Sequence, residues 1–293
     1  EVSLVENNKA ALRRETTVGD VNVRASSLDV RTVGAGGGSI AYVPELTGAL
    51  RVGPDSAGAE PGPAAYQKGG ELPTVTDANI VLGYLPAQQK LGGDMEISRE
   101  AAETAVQTIA DSMGLTLKQA AEGIVKIVNE NMFGALRLVS IEKGYDPRNF
   151  ALIAFGGAGP LHGNALGVLM QSWPVIVPPG PGVLCAFGDA TTRMRDEASR
   201  TFITRLTHTE PAVILEELFK LDESARSALL ATDSSKSMAL SSSEVTSQLQ
   251  VDLRYSGQGL VLTIETSEQE LNDQGFTGIS ERFDALHDQL FTF

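Results

Sequence analysis

Apolar positions along this chain keep two rhythms, one of period two and one near 3.6, and the change between them lays out its elements. Residues 1–48 read as short β-rich runs separated by turns: Val21-Asn22-Val23 and Asp29-Val30-Arg31-Thr32-Val33 have the alternation or β-branching of strands. Residues 34–73 form a Gly- and Pro-rich tract that includes Gly34-Ala35-Gly36-Gly37-Gly38-Ser39, Gly53-Pro54, Pro61-Gly62-Pro63 and Gly69-Gly70. Ile40, Tyr42, Val43, Leu50, Val52 and Tyr66 give this tract apolar anchors, so an ordered, functional segment is expected. The helical rhythm follows. Ser98 is a good N-cap for a helix over 99–113 with Gly114 as its stop, and Thr116 caps a longer helix running to Lys143, closed by Gly144. Ala121, Ile124, Val125, Val128, Met132, Leu136 and Val139 make the apolar stripe of that second helix. Gly123 and Gly134 inside it predict close packing on a neighbour, because each otherwise costs about 1 kcal/mol relative to Ala.

The run Phe150-Ala151-Leu152-Ile153-Ala154 reads as a buried strand, residues 161–170 as a short helix, and Val175-Ile176-Val177 as a second strand ended by Pro178-Pro179-Gly180. Strand, turn, helix and strand in succession predict an α/β layer. Beyond Arg195 the character changes. Residues 211–230 are amphipathic and acidic, 234–247 are Ser-rich and read as a loop, and 283–293 are helix-like. Val251-Asp252-Leu253-Arg254-Tyr255 and Leu260-Val261-Leu262-Thr263-Ile264 flank Ser256-Gly257-Gln258-Gly259 as a hairpin. A domain boundary is therefore expected near residue 200, with no internal repeats. Both ends read as cut, and a fragment of something larger is expected.

Candidate chemistry concentrates at Phe155-Gly156-Gly157-Ala158-Gly159-Pro160, between a strand and a helix. Such a turn lets a ligand approach the backbone and presents helix N-terminal N–H groups to an anion or a polar ligand edge. The same residues also suit a tight turn whose glycines serve packing, and the sequence leaves both readings open. The segment Gly34 to Ser39 contains G-x-G but lacks the third glycine and the following helix of a dinucleotide fingerprint. A backbone nest for a phosphate or oxyanion at Gly36, Gly37, Gly38 and Ser39 is the better functional reading; a close approach between strands is the alternative. His162 is placed for a ligand contact or for a structural role in the first turn of its helix. Asp77 is placed to cap a helix or to orient a metal or substrate. The three histidines, His162, His208 and His287, are too dispersed for a zinc site made within this chain. Cys185, between Val183, Leu184, Ala186 and Phe187, is expected to be a buried, inert thiol.

Composition narrows the classes. The 293 residues carry a net charge of −14, which argues against a general binder of nucleic acid or of anionic membranes. A single cysteine excludes an intramolecular disulfide and fits a reducing compartment. No apolar run approaches the roughly 20 residues of a membrane span, and no signal peptide opens the sequence. A cytoplasmic location is expected.

Five runs together resemble the hydantoinase A / 5-oxoprolinase family, which includes ATP-dependent lactam and hydantoin hydrolases and related ketone carboxylases such as the acetone carboxylase beta subunit. They are Thr32-Val33-Gly34-Ala35-Gly36-Gly37-Gly38-Ser39-Ile40-Ala41, residues 52–64, Pro73-Thr74-Val75-Thr76-Asp77-Ala78, residues 155–162, and Leu253-Arg254-Tyr255-Ser256-Gly257-Gln258. The resemblance covers essentially the whole chain. It implies that residues 1–200 are the family's central hydantoinase/oxoprolinase domain, N-terminally truncated, and that 201–293 begin its C-terminal region. The implied fold is α/β: part of an actin/sugar-kinase/Hsp70-like (ribonuclease H-like) nucleotide-binding domain with an α+β C-terminal extension. It assigns Gly156, Gly157, Ala158, Gly159 and Pro160 to an adenosine-binding turn. It leaves Gly36, Gly37, Gly38, Ser39, Asp77 and His162 as phosphate or substrate candidates, with no catalytic or metal residue assigned. Of the family's two phosphate hairpins, one would lie in an absent N-terminal domain. The other, of Asp-x-Gly-Gly-Thr-Ser type, would end near Glu1-Val2-Ser3, where the family usually has Asp-Val-Ser. The family's Gly-Pro-Ala-Cys-Tyr-Gly is here Gly62-Pro63-Ala64-Ala65-Tyr66-Gln67, which excludes a thiol role there. ATP with Mg2+ or Mn2+ is the implied cofactor set. A small cyclic amide, opened through phosphorylation of its amide oxygen, is the implied substrate, with an ATP-dependent ketone carboxylase subunit or a non-catalytic partner or fragment lacking the phosphate loops as the alternatives. A hydantoinase B-like subunit or domain and an oligomeric assembly complete the picture.

Overall fold

In the computed structural model, which describes residues 1–291 apart from 14, 19, 24–26, 87 and 89, the chain divides into two compact units, Glu1–Thr191 and Thr192–Phe293. Both mix helices with short strands. The first opens on β1 (Val5–Glu6), β2 (Lys9–Ala10), β3 (Leu12–Arg13), β4 (Thr16–Val18), β5 (Val21–Val23) and β6 (Ser27–Leu28), in the antiparallel pairs β1–β2, β3–β6 and β4–β5. The run at 29–33 is not the strand its β-branching predicts; Arg31 makes a lone bridge to Val2. The Gly/Pro tract is ordered, as β7 (Ser39–Tyr42) and β8 (Arg51–Ser56) pair antiparallel with a register shift between Ser39 and Ala41.

The helical centre of this unit is α1 (Val75–Val81), α2 (Arg99–Met113) and α3 (Leu117–Val139), each packed on the other two. Their inward faces meet in one cluster of Val75, Ala78, Val106, Ile109, Ile124 and Val128, closed by Ala41 of β7 and Val52 of β8. Fully burying an aliphatic side chain of this size contributes about 1.5–3 kcal/mol, so this cluster is the main hold on the unit. The caps are the expected ones: Ser98 accepts from the Ala101 N–H, Thr116 forms a capping box with Gln119, and Gly114 closes α2 in the left-handed region. α3 stops four residues short of Lys143. Ser140 Oγ donates to the Leu136 carbonyl and the chain tightens into a 3-10 turn over Ile141–Lys143. At Gly123 an added Cβ would sit 3.2 Å from Leu50 Cδ2, so close packing explains that glycine; at Gly134 nothing lies within 4 Å, and no contact explains it. Asp29, nearly buried, is ion-paired with both Arg13 and Lys143 and ties the N-terminal hairpins to the end of this helix.

The α/β layer is smaller than its sequence predicts. β9 (Leu152–Ile153) and β10 (Val175–Ile176) pair in parallel, and α4 (Gly159–Met170) lies on them. The helix comes close because Gly163 and Gly167 carry no side chain: an added Cβ would lie 2.8 Å from Ala154 Cβ and 2.5 Å from Val175 Cγ2, respectively. Only this face is covered. Ala154 is buried while Ile153 is 53% exposed, so the run 150–154 is not the fully buried strand expected. α5 (Leu184–Ala190) follows with no buried residue, which leaves Cys185 exposed and corrects the buried thiol.

The second unit holds α6 (Pro211–Ala231), α7 (Asp233–Ser237), β11 (Leu249–Leu253), β12 (Leu262–Thr266), α8 (Glu268–Gln274) and α9 (Thr277–Phe291). Its core gathers Leu215 and Leu218, Leu262 and Ile264, Leu271, Ile279 and Phe283. The Ser-rich stretch is partly helical, because Thr232 caps α7 and Ser241 forms a capping box with Glu244. The hairpin pairs Val251 with Ile264 across a longer connection than four residues, since β11 ends two residues earlier and β12 starts two residues later than predicted. Residues 292–293 of the expected terminal helix lie outside the described residues.

Candidate functional site

The turn ahead of α4 is open from the front. Gly156 sits at φ +85°, where an L side chain would be strained, and its N–H donates to the Pro181 carbonyl at 2.8 Å. Ala158 is the N-cap of α4 but makes no side-chain cap bond. Gly157 is exposed, and a Cβ there would meet nothing within 4 Å. The first backbone donors of a 12-residue helix therefore face no capping side chain.

The second Gly-rich turn lies beside it. The Thr76 N–H donates to the Gly37 carbonyl at 2.8 Å. An added Cβ on Gly37 would stand 2.7 Å from Thr76 Oγ1 and 3.7 Å from Ala158 Cβ. Gly37, Thr76 and Ala158 thus form a junction that brings together three segments distant in sequence. Gly36 is open in front, as nothing lies within 4 Å of its added Cβ. Ser39 is buried and turns inward, its Oγ accepting from the Gly36 N–H at 3.0 Å. Gly38 packs on Ser56, whose Oγ would be 2.7 Å from an added Cβ.

Asp77 is fully buried. Its carboxylate accepts from the N–H groups of Ala65 at 2.8 Å, Thr74 at 2.9 Å and Ala64 at 3.3 Å, and from Thr74 Oγ1 at 2.7 Å. It forms the capping box of α1 with Thr74. Of the two roles open in the sequence, this geometry is that of the cap, extended to fix the loop at 64–65. Burial pushes its pKa up, and the four hydrogen bonds offset part of that rise.

His162 is also fully buried. Its Nδ1 lies 2.7 Å from Asn129 Oδ1 of α3, and Nε2 has no partner. Burial pushes its pKa down and keeps the ring neutral. The long helix meets this layer mainly through α4. Among the described residues no three His, Cys, Asp or Glu side chains converge where they could hold a metal ion. A separate open pocket of about 440 Å³, lined by Val81, Leu82, Arg99, Glu103, Thr116, Leu117 and Lys118, touches none of these turns. Sequence reasoning missed Thr76, Asn129 and the Pro181 carbonyl. A polar Asn beside Val128 on the apolar side of α3 was the one legible signal among them.

A profile of the hydantoinase/oxoprolinase family matches residues 1–198. The chain belongs to this family. It is 35% identical to caprolactamase subunit alpha of Pseudomonas jessenii over 294 aligned positions, taking in 100% of this chain and 42% of that protein. The crystal structure of the ATP-dependent caprolactamase from Pseudomonas jessenii superposes with a TM-score of 0.81 at 36% identity, over 96% of this chain and 40% of the other. A nucleotide-free structure of acetone carboxylase gives a TM-score of 0.65 at 26% identity, over 97% and 41% of the two chains. 5-Oxoprolinase 1 of Arabidopsis thaliana is 35% identical over 211 residues, 64% of this chain and 16% of that protein. This member of the hydantoinase/oxoprolinase family thus spans less than half the length of these relatives. Among its described residues no helix is long and apolar enough to cross a membrane.

Proposed function

We propose that this chain is part of an ATP-dependent hydrolase that opens a cyclic amide of the 5-oxoproline or hydantoin type. The observation that carries the reading is the uncapped N-terminus of α4 behind exposed Gly157, in a chain similar to an ATP-dependent caprolactamase. An amide is a poor electrophile because nitrogen donates into the carbonyl. Transfer of the γ-phosphoryl group to the amide oxygen, with ADP leaving, makes the carbon attackable by water; the C–N bond then breaks and phosphate departs. Gly156, Gly157, Ala158, Gly159 and Pro160 would take the adenosine end of the nucleotide. The turn at 36–38, open in front of Gly36 but with the Gly36 N–H already given to Ser39 Oγ, would face a phosphate or substrate edge. Asp77 and His162, both buried, would serve from behind. Mg2+ or Mn2+ would neutralise the phosphates; the described residues offer no metal cage of their own.

Residues 1–200 would form the central domain of the actin/sugar-kinase/Hsp70-like fold and 201–293 the start of a C-terminal region. Groups on the far side of the phosphates and a hydantoinase B-like partner would complete an oligomeric, cytoplasmic enzyme. Catalysis needs preorganised groups on both sides of the phosphates, so the 293-residue chain by itself is expected to turn over negligible ATP. A substrate screen of the parent enzyme tests the reading: ATP-dependent hydrolysis of a lactam, hydantoin or cyclic imide is expected. The likeness to acetone carboxylase over 97% of the chain favours a second reading, a ketone carboxylase subunit. Carboxylation of a ketone, with no cyclic amide opened, would replace the first reading with the second.

A further inference from the structure

His162 sits in the first turn of α4 with its ring fully buried. Its Nδ1 faces an amide oxygen, Asn129 Oδ1, which accepts and cannot donate. Nδ1 therefore carries the proton, and Nε2 is a buried lone pair with no donor. An unpaired buried acceptor opposes folding, and an apolar ring would fill the same space without it. Packing alone does not account for an imidazole here. The ring supplies a donor at the δ position, and α4 has a use for one. Its N-cap Ala158 makes no side-chain bond, and its other buried residues, Gly163, Leu166, Gly167 and Met170, carry no polar side-chain group that could tie it to a neighbour.

We infer that His162 is a positioning residue: its Nδ1–H bond to Asn129 fixes the rotation and height of α4 on α3. The turn at 156–160 is then held from behind, and the donors at its front stay free of any capping side chain. The second hold is the bond from the Gly156 N–H to the Pro181 carbonyl. The functional consequence rests on the nucleotide reading of this turn; the geometry does not.

The test uses the full 293-residue chain. Nitrogen-15 NMR of the histidine rings should find His162 protonated at Nδ1 and bare at Nε2. His162→Asn keeps an N–H near the δ position, whereas His162→Gln moves it to the ε position. His162→Asn is expected to keep amide exchange within α4, at residues 163–168, within about threefold of the unaltered chain, and to keep its adenine-nucleotide affinity. His162→Gln and Asn129→Leu are expected to speed that exchange at least tenfold and to weaken the nucleotide by a similar factor. A proton on Nε2, or equal behaviour of the Asn and Gln variants, overturns the inference. The ring tautomer is read on the unaltered chain, so it decides even if a variant does not fold. An unaltered chain that binds no adenine nucleotide would sink the nucleotide reading, while the tautomer and the exchange pattern would still settle the positioning role.

Discussion

Replacing Asp77 with Ala separates a cap from a ligand. The carboxylate is fully buried and takes three short hydrogen bonds, from the Ala65 N–H, the Thr74 N–H and Thr74 Oγ1, and a longer one from the Ala64 N–H. Bonds to a charged acceptor are worth about 1.5–3 kcal/mol each, and a buried donor left unpaired costs about 1–3 kcal/mol. Removing the charge recovers some of its desolvation, the same effect that pushes the Asp77 pKa up. With the Thr74 hydroxyl free to rotate to another partner, the net loss should be about 3–4 kcal/mol. The single tryptophan, Trp173, lies in the first unit, so its fluorescence during urea unfolding reports that unit without the second. Asp77→Asn, which keeps one acceptor but turns an NH2 group toward backbone donors, should fall between. An Asp77→Ala chain within about 1 kcal/mol of the unaltered one, with an unchanged urea dependence, would refute the capping account. It would return Asp77 to the ligand candidates.

Gly37→Ala should destabilise the first unit, because its Cβ would stand 2.7 Å from Thr76 Oγ1; Thr76→Ala in the same chain should recover most of the loss, and additive effects would show the junction is not the cause. Gly167→Ala, aimed at Val175 Cγ2 at 2.5 Å, should lower the Trp173 melting midpoint, whereas Gly134→Ala should leave it unchanged or raised. Burial holds the His162 pKa below its ordinary value of about 6.5, so the unfolded chain binds the extra proton first as pH falls. The stability tied to neutral His162 is complete above about pH 6.5 and is lost as pH falls toward the folded pKa. Urea midpoints measured at pH 7.5 and below 6 should show that loss, and a His162→Asn chain with the same pH slope would exclude His162 as its source.

The legible parts of the fold were those set by local chemistry. Ser98, Thr116 and Gly114 fixed helix ends because a cap and a left-handed glycine act within one turn. The end of α3 was missed because Ser140 bonds back to Leu136, a choice that looks the same in sequence as a serine within a helix. The strand at 150–154 was overread for a tertiary reason: an apolar run predicts burial on both faces, and here α4 covers only one. The Gly-rich turns were visible as candidates, but their meeting through Thr76 joins three distant segments, and no local pattern encodes that. Asp77 and His162 were found as chemistry-bearing residues, yet their burial, which leaves neither side chain at an open face, depends on packing.

The proposed assignment of residues 156–160 to the adenosine end of a nucleotide is tested most directly by photolabelling. The chain would be irradiated with a 2-azidoadenine nucleotide and the labelled peptides mapped. Label is expected within residues 155–163, suppressed by excess ATP and lost in Gly157→Arg. That substitution has open space before it, so its Trp173 unfolding curve should match that of the unaltered chain. Label confined to other peptides, or label at 155–163 that excess ATP does not suppress, would contradict the assignment.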